Sequence, residues 1–362
     1  MKLLSPLSNV EDYESLVEAG ADEFYCGYMP YRWLSKRGVQ GSLNRREYVG
    51  MANTCTLSSM KILRRKIEDF HIPVKITLNS ITYDPMDYPL ILNIVQELLD
   101  IGFDTFIIAD LGLLFYLKEQ GVRCNFHISG EFPVLNSETI DFLTAFDIQR
   151  IIFPRKMSIV DITSCIQKFR DKVPEYEAFV LNESCLYIGA FCNTLHCDEL
   201  VSFCFAPTRI NKMHLDHKEF KQEYRFLSLS NLYDNQILSG GHEKGEAYSF
   251  AEHGCGVCFV KELEAAGITS LKIVGRGRSR EFLLNDIQNM KAILALADTF
   301  DDHQRTAFQQ QVKERFFHGR CLKSTHLCYY PQNKKYIEGF EEDFSTQQYF
   351  LYEENLKWRK SL

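Results

Sequence analysis

The stretch VKITLNSITYDPMDYPLILNIVQELLDIGFDTFIIAD, residues 74–110, contains two kinds of hydrophobic pattern. Its two ends, VKITLN (74–79) and DTFIIAD (104–110), are short runs rich in β-branched or aromatic residues, which is typical of strands buried on both faces. Between them, the apolar residues of DYPLILNIVQELLDIG recur at helical spacing. The stretch therefore predicts a strand, a helix and a second strand, which together form a parallel βαβ unit.

The same pattern recurs along most of the chain. The other predicted strands are DEFYCG (22–27), RCNFHIS (123–129), QRIIFP (149–154), EAFVLN (177–182), RFLSLS (225–230) and SLKIVG (270–275). A closed (β/α)8 TIM-like barrel is the simplest α/β architecture with this repeat. An open doubly wound sheet is the alternative, but no glycine-rich phosphate fingerprint follows the first predicted strand.

Two segments do not fit the strand–helix repeat. A cysteine-rich insertion at about 183–224 interrupts the barrel, which we place at 1–298. The charged and aromatic segment 299–362 has no strand pattern, and we expect it to form a C-terminal helical extension packed on the outside of the barrel.

Composition limits the class of protein. The 362 residues include no apolar run of the roughly 18 residues that a membrane span needs, so we expect a cytoplasmic protein. The net charge of −7 argues against a broadly basic nucleic-acid surface. Local basic tracts with aromatic residues remain at YMPYRWLSKR (28–37) and KWRKSL (357–362), although solvated loops explain them equally well.

The chain has 12 cysteines, which are unlikely to form disulfides in a reducing compartment. Six of them lie close together in sequence or after neighbouring strands, where they are expected to meet at the carboxyl face of a barrel: Cys185, Cys192, Cys197, Cys204, Cys255 and Cys258. Four converging thiolates are the usual requirement for zinc or an iron–sulfur cluster. The alternative for each cysteine is an incidental buried thiol, and this is our interpretation of Cys26, Cys55, Cys124, Cys165, Cys321 and Cys328.

Polar residues at the ends of predicted strands are expected to point into the barrel mouth, where barrel enzymes place their active sites. These residues are Asn79, Asp110, His127, Ser129, Arg155, Lys272 and Arg276. Arg155, Lys272 and Arg276, with Arg45, are candidates to bind a dicarboxylate, because guanidinium groups match carboxylates with two hydrogen bonds. A solvated turn is the alternative for Arg276, and a hydrogen-bonded core histidine is the alternative for His127.

The segments EAFVLNESCLYIGAFCNTLHC, CFAPTR and CGVCFVKELEAAGITSLKIVGRGRS resemble the signature region of the U32 peptidase family, also called collagenase-like proteases. The positions that match the family pattern are Glu177, Phe179, Cys185, Cys192, Cys204, Cys255 and Gly267. Upstream similarity in AGADEFYCG, SLNRREY, ITLNSI, IIADLG and HISGEFPVLN extends the resemblance over roughly residues 1–290.

This resemblance implies a barrel that holds a 4Fe-4S cluster on Cys185, Cys192, Cys204 and Cys255, with Cys197 and Cys258 as spare or substitute thiols. It also implies oxygen-independent hydroxylation of an RNA base or a quinone-like ring, with prephenate as the hydroxyl source. The chain departs from the family pattern at Lys156 and Val274, where glutamate is usual. We therefore do not transfer the substrate of any one branch.

Two other functions stay open from the sequence. A peptidase is one alternative, although the chain has no HExxH or GxSxG motif and His196 is directly adjacent to Cys197. A non-catalytic subunit is the other, because some relatives act as pairs, and either a paired homologous subunit or a homo-oligomer would fit. The substrate is expected to be a small molecule or RNA.

Overall fold

The structure is a computed structural model. It describes residues 1–38, 41–46, 52–155, 157–182, 185, 189–192, 213–217, 220–224, 248–251, 254–317 and 328–330.

Eight parallel strands close into a barrel. They are Lys2–Pro6 (β1), Glu23–Tyr28 (β2), Val74–Leu78 (β4), Thr105–Ile108 (β5), Asn125–Ile128 (β6), Ile148–Ile152 (β7), Glu175–Leu181 (β8) and Ser270–Ile273 (β11). Around the barrel the order is β1, β11, β8, β7, β6, β5, β4 and β2, and the β1–β2 pairing closes the ring. A two-residue strand, Asn53–Thr54 (β3), pairs with the end of β2. The (β/α)8 prediction is confirmed, and the open-sheet alternative is wrong.

The sequence prediction missed one barrel strand. β1 pairs with both β2 and β11 and is buried at Leu3, Leu4 and Ser5, yet its sequence KLLSP is short and contains a proline. The barrel is complete without the strand predicted at 225–230, which lies outside the described residues.

Helices surround the barrel. They are Tyr13–Glu18 (α1), Tyr31–Arg37 (α2), Leu57–Phe70 (α3), Tyr88–Asp100 (α4), Leu111–Glu119 (α5), Ser137–Thr144 (α6), Ile159–Phe169 (α7), Val260–Ala266 (α8), Arg280–Ala297 (α9) and Arg305–Phe317 (α10). In α4, Ile91, Ile94, Val95 and Leu98 are buried, at the spacing of one helical face.

Side chains cap several helices where the chain leaves the carboxyl end of a strand. Asp110, Asn136, Ser158 and Ser279 each accept a hydrogen bond from a backbone N–H in the first turn of the helix that follows. Such caps satisfy donors that a helix start leaves unpaired. Asp110 also accepts from the Tyr83 N–H, so it fixes loop structure and does not point into the mouth as predicted.

The chain divides into two compact units. The unit that contains the barrel comprises Met1–Asp198 and Ala247–Tyr330, and the other comprises Glu199–Glu246 and Pro331–Leu362. In the second unit, Met213–His217 (β9) pairs antiparallel with Phe220–Tyr224 (β10). The predicted C-terminal extension is thus shared between the two units, and α10 with residues 328–330 belongs to the barrel unit.

Candidate active site

Charged side chains fill the inside of the barrel. Arg150 on β7 donates to Glu23 on β2, with Nη1–Oε2 at 2.7 Å and Nη2–Oε1 at 2.9 Å. Its Nη1 also donates to Glu177 Oε2 at 2.8 Å, and Glu177 Oε1 accepts from Lys272 Nζ at 3.0 Å. Lys75 Nζ lies 3.0 Å from Glu23 Oε2. The buried charges are therefore paired, as burial in a low-dielectric interior requires.

The pKa values of these groups follow from burial and pairing. Burial alone would raise the pKa of Glu23, but the hydrogen bond from Arg150 and the charge of Lys75 outweigh it, and the pKa is lowered. Burial lowers the pKa of Lys75 to about 8 against the opposing effect of Glu23. Burial likewise lowers the pKa of Lys272, although Glu177 opposes it. Glu23 therefore stays ionised at neutral pH.

Two predicted mouth residues lie within this charged layer. Lys272 is buried, pairs with Glu177 and lies 4.1 Å above the Tyr25 ring. His127 is also buried, and burial together with the charges of Arg150 and Lys75 lowers its pKa well below the usual value. The imidazole therefore lies inside the barrel among these ion pairs, and its Nδ1 has no hydrogen-bond partner in the described residues, which departs from the interpretation as a hydrogen-bonded core histidine.

The carboxyl mouth, above the charged layer, is lined by arginine and aromatic side chains. Arg276 Nη1 donates to Thr77 Oγ1 at 2.9 Å. A Cβ at Gly27 of β2 would lie 2.5 Å from Arg276 Nη1, so the absence of a side chain there leaves room for the guanidinium. Arg155 lies with its guanidinium carbon 4.1 Å from the centre of the Phe179 ring. The structure thus brings Arg155 and Arg276 to the same mouth.

Tyr25 shows how closely the cationic groups converge. Burial raises the pKa of Tyr25 to about 12, while the charges of Arg276, Arg46 and Arg155 oppose the rise. These three arginines therefore act on one buried phenol. Its hydroxyl donates to the Ile273 carbonyl at 3.1 Å.

Glu131 is the acidic side chain at this mouth that sequence reasoning missed as a site residue. Its carboxylate lies 3.5 Å from Arg155 Nη1 and 3.6 Å from Arg45 Nε. Asn79 lies nearby, since its Oδ1 accepts from the Arg45 N–H and its Nδ2 donates to Ser129, both at 3.4 Å. Glu131 follows β6 by three residues. The criterion that selected Ser129, a polar residue at the end of a strand, would also have selected Glu131 if it had been extended into the loop.

Three of the four predicted cluster ligands lie in described residues. Cys255 pairs with Leu181 at the carboxyl end of β8, and Asn182 N–H donates to the Gly254 carbonyl beside it. Burial would lower the pKa of Arg155, but the nearby groups Glu131, Tyr329 and Cys185 together raise it, so Cys185 lies near this guanidinium. Cys192 N–H donates to Gly189, and a Cβ on Gly189 would lie 1.8 Å from Glu131 Oε2.

Cys185, Cys192 and Cys255 are therefore all placed around the carboxyl mouth. Among the described residues, however, no group of three His, Cys, Asp or Glu side chains is close enough to hold a metal ion. Cys204, like Cys197, lies outside the described residues. The set matches a soft metal in its chemistry, and its assignment as cluster ligands stays a prediction.

A segment near the C-terminus also reaches the mouth. Tyr329 N–H donates to the Cys255 carbonyl at 2.8 Å, and Cys328 forms a parallel bridge with Cys255. Tyr330 Oη donates to the Phe179 carbonyl at 2.8 Å. The sequence predicts an incidental thiol at Cys328 and no role for the tyrosines, because nothing in the local sequence indicates this long-range contact.

A second buried polar cluster supports the start of the cysteine-rich segment. Asp286 accepts hydrogen bonds from Asn182 Nδ2 at 2.7 Å and from Tyr248 Oη at 3.0 Å. Burial raises the pKa of Asp286 to about 6, against these two hydrogen bonds. Asn182 has a left-handed backbone, with φ of 65°, which asparagine tolerates better than most residues.

The basic tract 28–37 is not an open cationic surface. Arg32 pairs with Glu97, Lys36 with Asp87, and Arg37 with both Asp84 and Asp87. Trp33 is buried and donates to the Gly41 carbonyl. The tract forms helix α2 where a solvated loop was the alternative, and its paired charges give no support to nucleic-acid binding. The second tract, 357–362, lies outside the described residues.

The closed parallel barrel, with its polar site at the carboxyl ends of the strands, places this protein in the class of (β/α)8-barrel proteins. Sequence comparison identifies the family. The profile of peptidase family U32 matches residues 8–337. The chain belongs to this family, as its motifs indicated.

Individual relatives are distant. The chain is 27% identical over 198 residues to "Uncharacterized protease MJ0090" of Methanocaldococcus jannaschii, covering 53% of this chain and 43% of that protein. It is 23% identical over 193 residues to "tRNA hydroxylation protein P" of Haemophilus influenzae, covering 53% of this chain and 38% of that protein. The matches thus span less than half the length of these relatives. The solved structure of the U32 peptidase Mk0906 is 13% identical, covers 50% of this chain and 68% of its own, and has a TM-score of 0.37.

No helix among the described residues is long and apolar enough to cross a membrane.

Proposed function

We propose that this chain is an iron–sulfur member of the U32 family that takes part in oxygen-independent hydroxylation of an RNA base or a small aromatic or quinone ring. The observation that carries the proposal is the placement of Cys185, Cys192 and Cys255 around the barrel mouth that also holds a group of arginines. Barrel enzymes place their chemistry at this end of the strands.

In this proposal, Cys185, Cys192, Cys204 and Cys255 hold a 4Fe-4S cluster. Thiolates are the usual ligands of such clusters, and a bound cluster supplies one-electron redox chemistry. The backbone pairing of Cys255 with Leu181 fixes one ligand to the end of β8. The contact of Gly189 with Glu131 fixes the turn that leads to Cys192.

The arginines are proposed to bind the carboxylates of a hydroxyl donor such as prephenate. Arg45 and Arg155 lie beside Glu131, and the charges of Arg46, Arg155 and Arg276 reach Tyr25, so four guanidinium groups are gathered at this mouth. Guanidinium groups recognise carboxylates with directed hydrogen bonds. Lys272 contributes less than we predicted, because Glu177 balances its charge inside the barrel.

Hydroxylation of a C–H bond removes two electrons from the substrate, so the reaction needs an electron acceptor as well as an oxygen donor. A single cluster carries one electron at a time, so it would pass both electrons, one after the other, to an external acceptor such as a redox partner protein. A redox-active cluster beside an anion-binding mouth fits that relay better than it fits peptide hydrolysis. The name of the Haemophilus influenzae relative supports an RNA substrate. The charges of the tract 28–37 are paired with acidic side chains, so this tract adds no support for an RNA substrate. The proposal therefore includes a small aromatic molecule as the alternative substrate.

The test begins with protein purified without oxygen. We expect about four irons and four sulfides per chain, with a broad absorption band near ~400 nm. Cys185→Ala and Cys255→Ala should each lower iron content strongly. Cys124→Ala is the matched control, because this thiol lies just before the amino end of β6 and burial raises its pKa to about 12.

Activity is then measured on two substrates, tRNA from cells that lack this protein and a quinone precursor, each with prephenate and a chemical electron acceptor and without oxygen. Hydroxylation of either by the iron-loaded chain supports the proposal and selects the substrate. One zinc per chain, or peptide cleavage by metal-free protein, would overturn it in favour of a hydrolase. Hydroxylation that needs a second, co-expressed protein would make this chain a subunit of a pair.

A further inference from the structure

Buried polar atoms at the mouth that lack hydrogen-bond partners among the described residues include the hydroxyl oxygen of Tyr329 and Nε of Arg155. Tyr329 is 4% exposed, and the side chain of Arg155 is 11% exposed. Buried polar groups are nearly always satisfied in native proteins, so two together at a candidate active site call for an explanation.

The two groups are neighbours, and the charge of Arg155, with an arginine N–H directed at the phenol oxygen, lowers the pKa of Tyr329 against the larger effect of burial. This contact lies outside hydrogen-bond geometry and leaves both groups short of a partner. An arginine N–H can only be donated to the phenol oxygen. The O–H hydrogen of Tyr329 would then still lack an acceptor, as would Nε of Arg155. Both groups are donors, and the partner that both need is an acceptor with negative charge.

The surrounding structure holds Tyr329 in place. Its backbone N–H donates to the Cys255 carbonyl, and the next residue, Tyr330, is anchored by its hydrogen bond to Phe179. A Cβ on Gly256 would lie 2.8 Å from the Tyr330 ring, so Tyr330 packs directly on this backbone. The Tyr329 ring in turn lies edge-on to the Tyr330 ring, with centroids 6.4 Å apart. A donor held in this way binds an acceptor at a lower entropic cost.

We propose that Tyr329 and Arg155 together bind one carboxylate of a small organic acid at the barrel mouth, so that Tyr329 is a specificity-determining residue supplied by the C-terminal part of the barrel unit. This inference rests on the proposed function in one respect, the choice of a carboxylate-bearing donor as the ligand. Glu131 neutralises part of the Arg155 charge on the Nη1 side and leaves Nε for the ligand.

The structure gives two adjacent tyrosines with opposite expected behaviour. Tyr330→Phe removes a satisfied buried hydrogen bond and should lower the unfolding temperature. Tyr329→Phe removes a buried hydroxyl with no partner in the described residues, so the unfolding temperature of the ligand-free protein should stay the same or rise. If the Tyr329 hydroxyl served only to stabilise the fold, Tyr329→Phe would lower the unfolding temperature as Tyr330→Phe does.

Calorimetric titration with prephenate measures the binding step directly. We expect Tyr329→Phe to weaken binding about tenfold or more, because a hydrogen bond to a charged group is lost. Tyr330→Phe should bind prephenate with an affinity close to that of the unchanged protein. Benzyl alcohol, which has no carboxylate, should not distinguish the three proteins.

The outcomes separate this inference from the proposed function. Equal prephenate affinity in Tyr329→Phe, or no prephenate binding by the unchanged protein, would overturn the inference even if the cluster and hydroxylation are found. A Tyr329→Phe protein that keeps its affinity but has an altered cluster absorption spectrum would overturn it as well, because the hydroxyl would then serve a cysteine ligand. Tyrosine-dependent binding by protein that contains no iron would uphold it while the proposed function fails.

Discussion

Arg150 spans the barrel to reach Glu23, because β7 and β2 lie on opposite sides of the ring. The two side chains form a paired contact, with distances of 2.7 Å and 2.9 Å, and both are almost fully buried. Glu177 joins the same guanidinium at 2.8 Å. The centre of this barrel is therefore held by ion pairs across its width, where many barrels have layers of branched apolar side chains.

The first prediction concerns Arg150. Arg150→Met leaves Glu23 and Glu177 buried with less compensating charge, and we expect the free energy of unfolding to fall by about 3–5 kcal/mol. Urea denaturation followed by circular dichroism measures the change. Lys168→Met removes an exposed pair with Glu138 and should have no measurable effect.

The effect of Arg150→Met should be partly reversed by adding Glu23→Gln, because the second change removes one of the uncompensated charges. A loss no larger than that of Lys168→Met would contradict the role given to this ion pair. Glu23→Gln alone should also destabilise the protein, since it leaves Arg150 and Lys75 with fewer partners.

The second prediction concerns pH. Burial raises the pKa of Asp286 to about 6, above the value of about 4 in an unfolded chain. Between these values the folded state binds more protons, so the contribution of Asp286 to stability is present below about pH 4 and is lost as pH rises through about 6. Two units correspond to about 3 kcal/mol, taken as an order of magnitude.

Asp286→Asn should therefore remove a decline in stability between pH 4 and pH 7, and the difference in free energy of unfolding between the two proteins should change across this range. Thermal or urea unfolding at several pH values gives this difference. Asp171→Asn, at an exposed position, is the control. Glu23 has the opposite effect on the pH dependence of stability, because its lowered pKa means that acid removes its stabilising contribution. The informative quantity is therefore the difference in free energy of unfolding between the variant and the unchanged protein at each pH. A pH-independent difference would show that Asp286 titrates normally.

The sequence was sufficient for most of the barrel because its strands are continuous apolar runs that alternate with amphipathic helices. β5 and α4 show this pattern clearly. β1 could not be identified locally, since KLLSP becomes a strand only by pairing with β2 and β11, and β11 is more than 250 residues away.

The sequence predicts that polar residues at the ends of strands point into the barrel mouth. Arg155 and Arg276 lie there, whereas Lys272 and His127 lie deeper, in the charged layer inside the barrel. Both of these residues lie before the last residue of their strands, so their side chains point into the barrel interior and not into the loops. Tyr329 was missed for a different reason. Its place depends on a backbone contact with Cys255 that no periodicity in the sequence reveals.

The third prediction tests the packing that supports Cys192. A Cβ on Gly189 would lie 1.8 Å from Glu131 Oε2 and 2.9 Å from its Cα. Gly189→Ala must therefore displace either Glu131 or the turn that carries Cys192. We expect a clear loss of iron content after anaerobic purification, with little change in the far-ultraviolet circular dichroism of the barrel.

A second substitution provides the control for Gly189→Ala. Glu131→Ala removes the carboxylate that the new methyl group would meet, so the double variant should recover part of the iron. Recovery should be incomplete, because the methyl group would still lie close to the Cα at position 131. Full iron content in Gly189→Ala would show that the turn at 189–192 is not tightly coupled to the ligand positions.

The fourth prediction concerns the charge balance of the mouth. Glu131 lies within 3.6 Å of both Arg155 and Arg45, so its carboxylate competes with any anion that these arginines bind. Glu131→Gln keeps the size of the side chain and removes its charge, and we expect it to strengthen prephenate binding by roughly severalfold, with a smaller gain at high salt because charge interactions are screened. Glu138→Gln, on an exposed helix start, should leave the affinity unchanged. Weaker binding in Glu131→Gln would mean that Glu131 orients Arg155 more than it offsets its charge, and the carboxylate would then be required for the site.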